Sequence, residues 1–191
     1  MDILFIPDTQ VKPGVPLDHL EAAGNLIVER WPDMIVHIGD HWDMPSLSSY
    51  EDRGSKYFHD KSYRADVEAG KEGMARLLGP LWQFNARRSR LKMKQYRPAM
   101  EFAYGNHEER ILRAVKEQPV LEGTIGLDDL VVEKFGWNPH TFLDIFTVNG
   151  LSFSHFFINP RSIIKSPIGG TIENRLDKVG FSFAMGHQQD Y

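Results

Sequence analysis

Metal-ligand residue types follow three short apolar runs of the sequence. Asp8, Asp40 and Asn106 each come soon after the end of such a run. Carboxylate, imidazole and amide groups are ligands suited to manganese, iron or zinc. A centre with two metal ions needs ligands that converge from distant parts of the chain, and the carboxyl ends of neighbouring parallel strands supply that convergence. We therefore expect metal chemistry at one edge of a sheet.

Two later histidines extend this candidate set. His155 lies in the apolar segment 151–157, and His187 follows the apolar segment 180–185. A lone histidine in an apolar strand is more often a packed core residue, and one after a glycine can belong to a surface loop.

The other candidates also have simpler explanations. Asp8 after a proline suits a turn, Asp40 suits an ordinary strand-to-loop turn, and Asn106 suits a helix cap. These explanations would all have to hold together, so we favour the metal centre.

A βαβ unit at the start of the chain would position the first of these groups. Residues 2–7 and 33–38 read as buried strands, and apolar side chains at helical spacing over residues 17–30 predict a helix between them. Such a unit has parallel strands and a right-handed crossover. The remaining predicted elements are a strand at 99–104, a helix at 108–117, a hairpin at 142–157 around Asn149-Gly150, and a strand at 180–185.

Residues 44–98 differ from their surroundings because they are polar, charged and helix-prone. We expect a helix from about residue 62 to residue 78, a break at Gly79-Pro80, and an inserted helical segment that covers one side of the cleft. A basic stretch within it includes Arg87, Arg88 and Arg90. This stretch is either a solvated helix face or a rim that attracts phosphate.

The composition sets limits on the class of protein. The chain has 191 residues, a net charge of −4 and no cysteine, so disulfides and thiolate zinc sites are excluded. The length favours a single domain over residues 1–191. No apolar stretch approaches the roughly 20 residues that span a bilayer. We expect a cytoplasmic or otherwise intracellular protein with no membrane partner.

The candidate groups fall in five motifs. In chain order these are Asp8-Thr9-Gln10, Gly39-Asp40-His41-Trp42-Asp43, Gly105-Asn106-His107-Glu108, His155, and Gly186-His187-Gln188-Gln189. Their order and spacing resemble the calcineurin-like metallophosphoesterase superfamily over nearly the whole chain. The second and third motifs match fully and are the specific part. The resemblance implies an α/β fold in the form of a four-layer α-β-β-α sandwich, here with the helical insertion at 44–98.

The resemblance also implies roles for the metal-binding residues. Asp40 would bridge two divalent ions. Asn106, His155 and His187 would complete one of the two sites, and Asp8 would bind the other ion. Manganese is the expected metal, with iron, zinc, nickel or magnesium as alternatives.

Other motif positions would act on the substrate or support the site. His107 is similar to the family histidine that contacts the substrate phosphate and assists the leaving group, while a metal-bridging hydroxide attacks phosphorus. Asp43 and Glu108 match positions that support the site. We also expect His41, beside Asp40, to reach the rim of the cleft.

Three departures from the family pattern concern one metal site and the end of the chain. Gln10 and Gln189 stand where the family usually has histidines, and both belong to the site of Asp8. Glutamine is a weaker donor than imidazole for transition metals, so this second site should bind its ion weakly. The chain stops at Tyr191, whereas relatives usually continue with further strands, so we expect a truncated or differently closed sandwich.

These observations predict a hydrolase that cleaves a phosphorus ester. The basic stretch favours a phosphodiesterase or nuclease with an anionic substrate such as nucleic acid. A phosphomonoesterase acting on protein or small molecules is the first alternative. A binding module that keeps the fold without catalysis is the second, motivated by Gln10 and Gln189. The oligomeric state is left open.

Overall fold

The computed structural model describes residues 1–48, 61–159, 163 and 166–188. Its strands are β1 (Ile3–Ile6), β2 (Met34–His37), β3 (Ala99–Ala103), β4 (Asn138–His140), β5 (Phe146–Val148), β6 (Leu151–Ser154) and β7 (Phe183–Met185). Its α-helices are α1 (Asp18–Arg30), α2 (Tyr63–Arg90), α3 (Glu109–Glu117) and α4 (Ile172–Val179). The strands and helices predicted from the sequence are thus confirmed, apart from the helix in residues 44–98.

Two sheets form the centre of the fold. The first has the strand order β1-β2-β3-β4 with every pair parallel, and the second has the order β5-β6-β7. β5 and β6 form the predicted hairpin, in which Asn149 and Gly150 both have positive φ angles, as a type I′ turn requires. β7 runs parallel to β6, and α4 lies in the connection between them.

The first sheet is buried on both faces. Alternate residues of a strand point to opposite faces, so Ile35 joins the core formed with α1 and α2, whereas Val36 and Ile38 pack against Phe153 of the second sheet. Helices, first sheet and second sheet therefore form successive layers. This arrangement agrees with the coarser prediction of an α/β fold.

α2 corrects the prediction of a helix break at Gly79-Pro80. The helix continues through Pro80 to Arg90. Proline usually excludes its preceding residue from helical geometry because its ring meets that residue's Cβ, and Gly79 has no Cβ. α1 also crosses α2 closely here, since a Cβ on Gly24 would lie 2.2 Å from the carbonyl oxygen of Leu77. The packing of α2 against α1 thus outweighs the tendency of proline to interrupt a helix.

The helical part of residues 44–98 belongs to the core of the fold. α2 connects β2 to β3, and its side chains Met74, Leu77, Leu78 and Leu81 are buried in the core with α1. Residues 63–90 of the predicted insertion therefore form the crossover that parallel strands require. Residues 49–60 of it lie outside the described residues. Within the part of the chain that the structure describes, no helix is long and apolar enough to cross a membrane.

Candidate metal centre

The five candidate ligands lie just beyond the carboxyl ends of strands in both sheets. Asp8, Asp40 and Asn106 follow β1, β2 and β3, and His155 and His187 follow β6 and β7. All of these strands are parallel to a neighbour in their own sheet. The topology therefore brings groups that are up to 179 residues apart in sequence to one edge, where the His187 amide donates to Asp8 Oδ2 over 2.7 Å.

Four of these side chains form a tight cluster. Ligand atoms of Asp40, His155 and His187 all lie within 4.8 Å of one another. The Asn106 Oδ1 atom is 2.9 Å from His155 Nε2 and 2.7 Å from His187 Nδ1. His155 Nε2 is also 3.4 Å from Asp40 Oδ2. Two oxygens and two ring nitrogens thus face a common point, an arrangement suited to one divalent cation.

The orientation of His155 supports this interpretation. Its Nδ1 lies 2.8 Å from the carbonyl oxygen of Ile38, so Nδ1–H donates there. In the neutral ring Nε2 then carries a lone pair, which points at the oxygens of Asn106 and Asp40. A cation bound between these lone pairs would offset their mutual repulsion. A metal-ligating histidine also usually donates its other ring N–H to a carboxylate or a backbone carbonyl, as His155 does here.

The charges of the cluster act on one another. Burial lowers the pKa of His155, but the hydrogen bond and charge of Asp40 outweigh burial and raise this pKa above its ordinary value. Burial raises the pKa of Asp40, yet His155 and His107 together bring it below its ordinary value. For His187, burial and then the neighbouring His155 lower the pKa.

Asp8 lies beside this cluster. Its Oδ1 is buried and has no hydrogen-bond partner among the described residues, and burial raises the pKa of the carboxyl group. Gln10 donates its backbone N–H to the carbonyl oxygen of Asp40 over 2.8 Å. Gln189, the other weak ligand predicted for this site, lies outside the described residues. Asp8 therefore offers an unsatisfied oxygen for a second cation next to Asp40.

The backbone is in an unusual conformation at three of the candidate positions. Gln10, Asp40 and His187 have φ angles of 44°, 48° and 68°, in the left-handed region that side chains other than glycine rarely adopt. Gly105 allows the loops to meet, because a Cβ there would lie 2.1 Å from Asp40 Oδ1. Residues held in such conformations cluster at functional sites.

Glu108 organises the two loops that carry Asp40 and Asn106. Its buried carboxylate accepts four backbone N–H groups, from Asp40, His41, Trp42 and Gly105, at 2.7–3.0 Å. Burial, and then the charge of Asp40, raise the pKa of Glu108 to about 7, while the four donors favour its ionised form. The expected supporting role of Glu108 thus has a geometric basis that helix capping alone would not supply.

His107 faces Asp40 from the loop after β3. Its Nδ1 lies 2.8 Å from Asp43 Oδ1, and its Nε2 lies 3.8 Å from Asp40 Oδ2. Burial lowers the pKa of His107, but the Asp43 hydrogen bond and the Asp40 charge raise it overall. Burial opposes the ionisation of Asp43, yet His107 and Lys12 lower its pKa to about 2. Asp43 therefore fixes the ring and favours its charged form.

Arg110 and Lys12 are site residues that the sequence reasoning missed. An Nη2–H of Arg110 lies 3.1 Å from His107 Nε2, its Nη1 donates to the carbonyl oxygen of Asp43 over 2.7 Å, and Lys12 Nζ donates to Asp43 Oδ2 over 2.8 Å. Arg110 follows His107 by three residues, across the turn that leads into α3, a spacing that could have identified it. Lys12 carries no comparable signal.

His41 corrects the prediction of a rim residue. Its ring is fully buried, with Nδ1 2.7 Å from Thr9 Oγ1 and Nε2 2.9 Å from the carbonyl oxygen of Gly70 in α2. His37, which is also buried, reaches the same hydroxyl with Nε2 at 3.2 Å. Burial lowers the pKa of both rings, that of His41 to about 4, so both are neutral. They support the Asp8 loop from behind.

Arg87, Arg88 and Arg90 do not reach the centre. They lie at the carboxyl end of α2, whereas the opposite part of that helix touches the site through Gly70. Seventeen residues of helix separate Gly70 from Arg87, or about 26 Å at 1.5 Å per residue. The prediction that these arginines form a phosphate-attracting rim of the cleft is therefore wrong.

Comparisons with known proteins add no identification. A scan against models of known protein families finds no match, and no curated protein matches the chain. The candidate function therefore depends on the motifs and on the geometry of the cluster.

Proposed function

We propose that this protein is a metal-dependent phosphoesterase of the calcineurin-like kind. The observation that carries the proposal is the meeting of Asp40, Asn106, His155 and His187 around one point, with the second ring nitrogen of His155 anchored on the Ile38 carbonyl. The order of the five motifs supports the same assignment. On this proposal the two packed sheets and their helices are the layered sandwich of that superfamily.

The residues fit two divalent ions of unequal affinity. Asp40, Asn106, His155 and His187 would hold the first ion, and Asp8 and Gln10 would hold the second next to Asp40. Asp8 Oδ1, which has no hydrogen-bond partner among the described residues and lies 3.8 Å from His155 Nδ1, supports this second position. We expect manganese, because the donors are a mixture of oxygen and imidazole nitrogen without thiolate. Such ions supply water activation and neutralise charge on a phosphoryl group.

His107 would act on the leaving group. The Asp43 carboxylate accepts from Nδ1–H, so a second proton on His107 would reside at Nε2, on the side of Asp40, where it would replace the hydrogen bond from Arg110. The raised pKa of His107 supports the presence of that proton near neutral pH. The ring can then hold a phosphate oxygen or give its proton to the departing alkoxide. Arg110, beside Nε2, adds a positive charge for the phosphoryl oxygens.

The test of hydrolysis uses bis-p-nitrophenyl phosphate with and without added Mn²⁺. We expect Mn²⁺-stimulated release of nitrophenol that Asp40→Asn and His107→Ala each reduce at least a hundredfold. His19→Ala, which removes an exposed histidine of α1, is the matched control and should retain activity. Mn²⁺ binding without hydrolysis under any divalent metal would instead favour the binding module that Gln10 motivates.

A second substrate distinguishes a phosphodiesterase from a phosphomonoesterase. The preference for a diester depended in part on the arginines of α2, which lie away from the centre. The motifs fit a phosphodiesterase and a phosphomonoesterase equally, so we retain the phosphodiesterase as the working proposal and the phosphomonoesterase as its rival. A higher kcat/KM on p-nitrophenyl phosphate than on the bis-p-nitrophenyl ester would assign the protein to the monoesterases.

A further inference from the structure

The basic stretch forms a surface of its own, far from the metal centre. Between Glu72 and Glu101 the sequence has seven basic residues and no acidic one, in a chain whose net charge is −4. Six of these basic residues are exposed, and we call the five exposed ones within residues 87–97 the basic patch: Arg87, Arg90, Lys92, Lys94 and Arg97. They occupy the last turn of α2 and the segment that leads into β3.

Few negative charges oppose the basic patch. Among the described residues, no carboxylate forms an ion pair with any of its five members. Asp33 lines the same shallow cavity as Lys94 and Arg97. That carboxylate accepts the backbone N–H of Asp2 over 2.8 Å and lies 3.8 Å from the terminal amine of Met1, which offsets its charge. The patch therefore presents a net positive potential.

The segment that carries the patch is held in place by its neighbours. The Asn85 side chain and the Tyr96 backbone exchange two hydrogen bonds of 2.7 and 2.8 Å. The Tyr96 ring stacks on Trp31 with a centroid distance of 4.7 Å, and the Arg88 guanidinium lies over the same indole at 5.1 Å. The backbone that carries the patch is thus held before a ligand binds, and only the charged side chains lose freedom on binding.

We propose that the basic patch binds the phosphate backbone of double-stranded DNA. Exposed arginine and lysine side chains at the end of α2 and in the segment after it can contact phosphates and supply affinity without base reading. Binding of single strands would need aromatic faces for stacked bases, and Trp31 already stacks on Tyr96 beneath Arg88. An acidic membrane would need a broad apolar face, whereas among the described residues the exposed large apolar side chains beside these cations are Trp31, Leu91 and Met93.

The location of the patch makes DNA binding separable from hydrolysis. About 26 Å of α2 lies between its contact with the metal centre and Arg87. A duplex bound at the patch would therefore remain bound when the metal centre is empty or altered. The proposal does not depend on the proposed phosphoesterase activity.

The experiment measures fluorescence anisotropy of a labelled 20-base-pair duplex with metal-free protein at 50–200 mM salt. If all five cations contact phosphates, the logarithm of the association constant should fall against the logarithm of salt with a slope of about −4.5. The triple variant Arg87→Gln, Arg90→Gln, Lys92→Gln should bind at least tenfold more weakly at 50 mM salt. Its slope should be shallower by about 3.

The control variant removes three exposed cations elsewhere, Lys116→Gln, Lys134→Gln and Lys178→Gln, and has the same net charge. It should bind DNA like the wild type, and both variants should melt at the wild-type temperature. No DNA binding at 50 mM salt, or an equal loss in the control, would overturn the proposal. Binding to phosphatidylserine vesicles without binding to the duplex would assign the patch to a membrane surface and likewise overturn it.

Discussion

At the scale of single residues, the candidate metal centre depends on side chains that each make several contacts at once. His155 donates through one nitrogen to Ile38 and directs the other at Asn106 and Asp40. Glu108 accepts four backbone N–H groups and thereby fixes the loops on either side of the cluster. Removing such a carboxylate would leave several buried donors unpaired, which is costly for each of them.

The two histidines predict how metal affinity depends on pH. A histidine must be neutral to coordinate, so protons compete with the metal. The raised pKa of His155 means that this ring holds its second proton to a higher pH than the ordinary value of about 6.5. The lowered pKa of His187 means that its proton competes only at lower pH. We therefore expect Mn²⁺ affinity to begin to fall near neutral pH and to fall more steeply towards pH 5.

Isothermal titration calorimetry of Mn²⁺ binding between pH 5 and 8 measures this dependence. The number of protons released on binding should rise as the pH drops through the range in which His155 titrates. His19→Ala should leave the profile unchanged. An affinity that stays constant down to about pH 5 would contradict ligation by His155 and His187.

At the scale of elements, the crossing of α1 and α2 sets the position of the first sheet. Leu20, Gly24 and Ile27 form the buried stripe of α1, at helical spacing. Gly24 is the contact point, where an added Cβ would lie 2.2 Å from Leu77 O and 3.0 Å from the ring of Pro80. The close crossing therefore depends on the absence of a side chain.

Gly24→Ala should lower the stability although alanine favours the helix. The gain in helix propensity is about 1 kcal/mol, and overpacking against a backbone oxygen costs about 1–3 kcal/mol. We expect the free energy of unfolding in urea to fall by up to about 2 kcal/mol. Ala86→Gly, at an exposed position of α2, measures propensity alone and should cost about 1 kcal/mol. A Gly24→Ala protein more stable than the wild type would show that the helices can move apart freely.

At the scale of the whole molecule, the candidate centre joins the two sheets. Asp40 and Asn106 follow strands of the first sheet, and His155 and His187 follow strands of the second. Two hydrogen bonds already connect the segments that follow the two sheets, from His155 to Ile38 and from His187 to Asp8. A cation held by all four ligands would add a further tie between the two layers.

Mn²⁺ should therefore raise the melting temperature. A ligand present at a hundred times its dissociation constant stabilises the folded state by about 2.7 kcal/mol. For a chain of this length that corresponds to a rise of roughly 5–10 °C. Differential scanning calorimetry with and without Mn²⁺ measures the shift, which Asp40→Asn should abolish and His19→Ala should preserve. An equal shift in the Asp40→Asn protein would mean that the ion binds elsewhere.

Much of the fold and of the cluster could be predicted because local patterns in the sequence indicate them. Alternation, helical spacing and Asn149-Gly150 identify the elements, and ligand types at strand ends identify the cluster. The course of α2 through Pro80 could not be predicted, because Gly79 and the contact with Gly24 act together. The position of Arg87 was predicted wrongly for a related reason. Because α2 continues through Pro80, its carboxyl end lies far from the cleft. The burial of His41 depends on Thr9 and Gly70, which are distant in sequence.

The chain of hydrogen bonds through Thr9 has a direction. The Gly39 N–H donates to His37 Nδ1, so the neutral His37 ring donates from Nε2 to the Thr9 hydroxyl. His41 must donate from Nε2 to the Gly70 carbonyl, so its Nδ1 accepts the hydroxyl proton of Thr9. Each ring thus has one defined tautomer, and all hydrogen bonds of the chain run in the same direction, from Gly39 to Gly70. The chain cannot reverse, because the Gly39 N–H can only donate and the Gly70 carbonyl can only accept. It can therefore pass no proton to or from the Asp8 loop.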